Sequence, residues 1–164
     1  MAASISTYFQ SLFRIQEILD IAIKYRKKIY IHDDGLLHVL RSWRKMKYYH
    51  VPKELLVDRR NFSNAMEDVL VIISGQGKNL FRTMSNIANQ EDRYVRFRSS
   101  DTIIIASPIV SGTQMDANNM ENEIYKEGGT IFSLDSRQVL SMHPSREDLK
   151  MMLYLFKPKY YIPV

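Results

Sequence analysis

Residues 69–73 read Val-Leu-Val-Ile-Ile and residues 103–106 read Ile-Ile-Ile-Ala. Such unbroken β-branched runs lack the polar alternation of a half-wet strand, so each belongs to a strand covered on both faces. A strand of that kind needs a helical layer above and below it, and the remaining sequence supplies one. Leu12, Ile15, Ile18, Leu19, Ala22 and Ile23 recur at helical spacing after a short strand at 5–9. A strand at 28–32 precedes a helix over 36–46, with Asp33 or Asp34 as its N-cap. After 69–73 comes a helix that turns Leu80, Met84, Ile87 and Ala88 inward, and residues 93–98 alternate basic with apolar, as an edge strand or ribbon with one wet face does. A strand at 102–107, a helix at 115–126 and a strand at 130–134 follow. Pro144 is placed to open a helix that has Glu147 and Asp148 in its first turn, carries Leu149, Met152, Leu153 and Phe156 and stops before Pro158. A last strand is expected at 160–164. Strands alternating with helices predict an α/β fold: a Rossmann-like three-layer domain, with a mostly parallel sheet and helices on both faces. One domain spans 1–164, since 164 residues suit a single core.

Composition narrows the partners. No apolar run approaches the ~20 residues a membrane span needs, and Met1-Ala2-Ala3-Ser4 has neither the basic nor the apolar region of a signal peptide. The absence of cysteine excludes disulfides and thiolate metal sites and fits a cytoplasmic protein. A net charge of +5 favours anionic partners, nucleic acid before membrane, although many basic proteins bind neither.

Three turns carry the residues from which chemistry could be built. Ser74-Gly75-Gln76-Gly77-Lys78 lies between a strand and a helix, where glycines either aim backbone N–H groups at an anion or merely make a tight turn. It satisfies neither phosphate-loop pattern. Ser111-Gly112-Thr113 allows the same two readings with a hydroxyl on each side. Ser141-Met142-His143-Pro144 places a histidine before a helix start, as a phosphate contact or as a packing residue. The four histidines show no metal-binding spacing, and His32-Asp33-Asp34 reads better as a strand end running into an N-cap than as a metal site. No complete catalytic set is present.

Together these turns resemble the β-CASP region of the ribonuclease J family. The family's T-x-x-S-N-x-x-R-I-Q segment corresponds to Thr7 through Gln16, which keeps Arg14 but replaces the Ser-Asn pair with Gln10-Ser11. Its T-G-S-Q-G-E-P turn is altered here to Ile73-Ser-Gly-Gln-Gly-Lys-Asn79. Asn86-Ile-Ala-Asn89, Asp101-Thr-Ile103 and Ser107-Pro-Ile109 follow I-A-N, D-T-V and S-P-I-P. Residues 141–153 resemble S-G-H-x-x-x-E-E-L-K-L-M-L, and residues 157–164 resemble K-P-K-x-x-x-P-[IV], after which the family places a zinc-ligand histidine.

The resemblance implies a domain excised from a metallo-β-lactamase-type nuclease that acts in RNA processing or decay. The β-CASP region closes over the active site and binds RNA phosphates. It needs no cofactor of its own, because two zinc ions sit in the metallo-β-lactamase domain, which is absent from this chain. RNA and that domain are the expected partners, a homo- or hetero-oligomer of the parent is open, and no membrane is involved. By the same carry-over His143 acts in catalysis, Ser141 and His143 grip a phosphate, and Arg14, Ser11 and Ser111 border the pocket. The sequence departs from the family's H-T-S-G-H, reading Val139-Leu140-Ser141-Met142-His143, as a diverged paralogue would. The rival reading is a non-catalytic α/β interaction module, either a degenerate ribonuclease paralogue that scaffolds an active partner or an unrelated Rossmann-like binder.

Overall fold

The computed structural model describes residues 2–109, 112–134 and 144–162. Its elements run β1 (Ala3–Tyr8), α1 (Leu12–Lys24), β2 (Lys28–Ile31), α2 (Asp34–Lys45), β3 (Leu56–Val57), β4 (Val69–Gly75), α3 (Lys78–Ala88), β5 (Thr102–Ile105), α4 (Gln114–Lys126), β6 (Thr130–Ser133) and α5 (Arg146–Phe156). The strands form one six-stranded sheet in the order β3-β2-β4-β1-β5-β6, and every pairing is parallel.

The period-two geometry of β4 divides the core. Val71 and Ile73 face one layer, where they meet Leu80, Phe81 and Met84 of α3 and Ala117, Met120 and Ile124 of α4. Ile72 faces the other, with Ile15, Ile18 and Leu19 of α1 and Leu36 of α2. Ile72 and Ile73 are both fully buried, each worth ~2 kcal/mol of apolar burial. The expected two-faced strand and three-layer α/β architecture are therefore present. Asp33, rather than Asp34, caps α2 by accepting from the Leu36 amide at 2.7 Å.

Three expectations are corrected. Residues 93–98 form no strand, although Val95 and Phe97 are buried and Arg96 is exposed as the alternation required. Side chains claim the backbone groups a neighbouring strand would have used. Asp92 Oδ1 accepts from the amides of Tyr94 and Val95. Asn64 accepts from the Arg96 amide and donates to the Tyr94 carbonyl, and Asp101 accepts from the Arg98 amide. The last helix begins after Pro144, not on it. Ser145 is its N-cap and forms a reciprocal capping box with Asp148, which a proline cannot provide. No residue of α5 is buried. Residues 160–162 belong to no strand, with Tyr160 and Ile162 exposed and no neighbour to pair them, while 163–164 lie outside the described residues. The two-residue β3 went unread because its pattern is too short to register and its identity comes from pairing Ile29 with Leu56.

Candidate functional site

In a parallel sheet ligands collect beyond the carboxyl ends of the strands, where adjacent strands send their helices to opposite faces. β1 and β5 are such a pair: α1 packs on one face and α4 on the other. Both helices begin beyond the carboxyl ends of these strands, α1 after the turn at 9–11 and α4 after the loop that leaves β5. Neither Ser11, the N-cap of α1, nor Thr113, the N-cap of α4, caps its helix with its side chain. A helix N-terminus is the positive end of its dipole, and that of α1 meets the β5 exit through Arg14, which favours an anion.

The mouth is held together by contacts across about a hundred residues of sequence. Arg14, in the first turn of α1, donates from Nη1 to the Ala106 carbonyl at 2.8 Å. The Tyr8 hydroxyl donates to the Pro108 carbonyl at 2.8 Å, and burial raises its pKa. Ser6 and Ser107 place their hydroxyls 3.3 Å apart in the buried floor. These bonds fasten the loop leaving β5 to the end of β1, and they seat a guanidinium between the two strands. Thr7 is buried on the α1–α2 face, with no hydrogen-bond partner for its hydroxyl among the described residues.

The turn after β4 divides its residues between structure and opening. Ser74 donates to Asp33 Oδ2 at 3.2 Å, so its hydroxyl ties β4 to the α2 cap. A Cβ on Gly75 would lie 3.1 Å from both Cα and Cβ of Leu80, so this glycine permits the close approach of α3. Gly77 is the N-cap of α3 with φ +48°, and a side chain there would meet nothing within 4 Å. Ser74 and Gly75 therefore serve the tight turn, whereas Gly77 opens on free space.

His32, Asp33 and Asp34 are each engaged separately, as a strand end running into a cap. His32 Nε2 lies 2.9 Å from Asp92 Oδ2, Asp33 caps α2, and Asp34 pairs with Arg59 at 2.9 Å. Burial alone would raise the Asp92 carboxyl, but the amides of Val95 and Tyr94 and the His32 imidazole outweigh it and hold its pKa below the ordinary range. This pair was invisible in sequence, since 60 residues separate the partners and neither carries a motif. The Arg93, Arg96, Arg98 row is also less uniform than its spacing implied. Arg98 pairs with Asp101 at 3.1 Å and Arg93 lies over the Tyr94 ring.

Of the residues singled out by resemblance, the structure brings Ser11 and Arg14 together at the mouth. Ser111, Ser141 and His143 lie outside the described residues. Among the described residues no three His, Cys, Asp or Glu side chains are grouped to hold a metal ion.

Residues 3–124 match the family model of the ribonuclease J β-CASP domain. The chain belongs to that family. It is similar to ribonuclease J 2 of Staphylococcus aureus, with 28% identity over 161 residues. It is also similar to ribonuclease J 2 of Staphylococcus epidermidis, at 27% over the same length. These alignments cover 98% of this chain but 29% of each relative, so the chain spans under a third of their length. Arg14, the turn at 73–79 and the β5 exit at 106–109 all fall within the matched span.

Proposed function

We propose that this domain supplies RNA phosphate contacts to a zinc-dependent, ribonuclease J-type nuclease acting in RNA processing or decay, and closes over an active site held in a metallo-β-lactamase domain. The observation that carries the reading is the mouth at the β1–β5 switch point. The N-terminus of α1 and the Arg14 guanidinium meet the β5 exit there, and Arg14 is held by the Ala106 carbonyl. An anion there meets oriented dipoles and a charge that cannot be titrated away, a combination suited to a phosphodiester. In this reading Ser11 and Ser111 line the approach, and Ser141 and His143 complete the grip on the phosphate near the cut. In this reading the two zinc ions are held by the metallo-β-lactamase domain, and no step of the chemistry is assigned to a metal here.

The test is a titration of this chain with short single-stranded RNA at low and moderate salt, for the parent sequence and Arg14→Ala. Binding that weakens with salt, and weakens further on loss of Arg14, is the expected result. No binding at low salt, or binding indifferent to both salt and Arg14, overturns the reading.

A further inference from the structure

A second basic site lies away from that mouth, on the face that α2 covers. A cavity of about 360 Å³ opens between α2, the segment 49–58 and the ends of β2 and β3. Leu37, Leu40, Val51 and Leu56 line it with apolar surface, and Val51 is fully buried as part of the floor. Arg41, Arg44, His50 and Lys53 also line it, and all four are exposed at the rim. Asp58 is the single carboxylate of the lining. Among the described residues Asp58 forms no ion pair, and neither do Arg41, Arg44 and Lys53. Three full positive charges thus surround an apolar recess with one opposing charge nearby.

We propose that this cleft binds one nucleotide, with the base on the apolar floor and the phosphate on Arg41, Arg44 and Lys53. A purely apolar ligand would leave the cations unused, and a bare inorganic anion would leave the floor wet. The volume falls at the lower end of the range of small-molecule sites, room for one such unit. Arg41 and Arg44 stand three residues apart on α2, hence on one helix face, where two guanidinium forks converge on the same phosphate. Tyr49 adds a ring to the wall, and its hydroxyl is already committed to Asp20 at 2.6 Å, which fixes the ring's position. The nucleotide is either a free mononucleotide or one unit of a single strand. The site uses none of the residues assigned to the β1–β5 mouth and stands independently of the reading above.

Trp43, the single tryptophan, packs edge-on against Tyr49 at 5.7 Å and reports on the cleft by its fluorescence. The 164-residue chain is titrated with adenosine 5′-monophosphate, adenosine, inorganic phosphate and a short oligoadenylate, alongside Arg41→Ala/Arg44→Ala and Arg14→Ala. The mononucleotide or the oligonucleotide should bind about tenfold or more weakly to the double variant, with an unchanged melting temperature, because two charge-assisted bonds are lost. Adenosine and phosphate alone should each bind less tightly than the mononucleotide. Binding by the oligonucleotide only identifies a strand as the source, and binding by both identifies a free nucleotide. Arg14→Ala should leave mononucleotide binding unchanged, which separates failure of this site from failure of the mouth. If neither nucleotide probe responds to the double variant, or if phosphate alone binds as tightly as the mononucleotide, the proposal is overturned.

Discussion

Arg14 carries two duties, and they are separable by experiment. Its bond to the Ala106 carbonyl is worth ~1 kcal/mol of stability, while a phosphate contact adds about one unit to the salt dependence of RNA binding. Arg14→Ala should therefore lower the melting temperature by only a few degrees and reduce the slope of log affinity against log salt by about one. A changed melting temperature with an unchanged slope would leave Arg14 a purely structural residue. His143, expected from resemblance to contact the phosphate near the cut, makes a sharper case in an assembled nuclease. There, His143→Ala should slow cleavage by ~10²-fold or more through loss of a positioned donor. Cleavage at the parent rate with a lower melting temperature would instead assign it to packing. Asp92 gives a pH signature. Its folded pKa is depressed, so its contribution is fully present above its unfolded value near pH 4 and is lost as pH falls through the lower folded value. Asp92→Asn should flatten the stability-against-pH curve in that acidic window, which thermal melts across about pH 2 to 5 would read; an unaltered curve there would mean that Asp92 contributes nothing to acid stability.

The segment 92–98 shows why an alternating pattern does not guarantee a strand. Alternation fixes which side chains face inward, and Val95 and Phe97 obey it. A strand also needs a neighbour's backbone, and here Asn64, Asp92 and Asp101 supply the hydrogen bonds instead. Asn64→Ala would leave the Tyr94 carbonyl and the Arg96 amide without those bonds, at a cost of ~1–3 kcal/mol. That corresponds to a melting temperature lower by roughly 2–4 °C per kcal/mol for a chain of this size, measurable by calorimetry; an unchanged melt would mean that water replaces Asn64 without penalty. α5 makes the opposite case. Its capping box is complete, but no residue of the helix is buried. Ser145→Ala should cost ~1 kcal/mol of local helix stability and speed amide exchange along 146–156, while the global melting temperature stays the same. A matching fall in the global transition would show that α5 is coupled to the core.

At the scale of the molecule, the two proposed anion sites lie apart, one at the β5 exit beside Arg14 and one beside α2. The chain by itself should neither retain zinc nor degrade RNA; metal analysis together with a cleavage assay in Mg²⁺ or Mn²⁺ checks this, and tightly bound stoichiometric zinc with RNA turnover would defeat it. Much of the architecture was legible in residues a few positions apart. The unbroken run at 69–73 required cover on both faces, the helical spacing of Leu12 to Ile23 required α1, and Asp33 before Leu36 offered a cap. These are local choices, set by side-chain period and by the few hydrogen bonds within one turn. Family membership was legible too, because its motifs are short stretches of contiguous residues. What the tertiary structure alone decided are the pairings across long separations. They include β4 inserted between β2 and β1, β3 recruited by Ile29, His32 against Asp92, and Arg14 on the Ala106 carbonyl. Each joins groups tens of residues apart that have no pattern in common, so their meeting depends on which strands lie side by side once the apolar faces are buried.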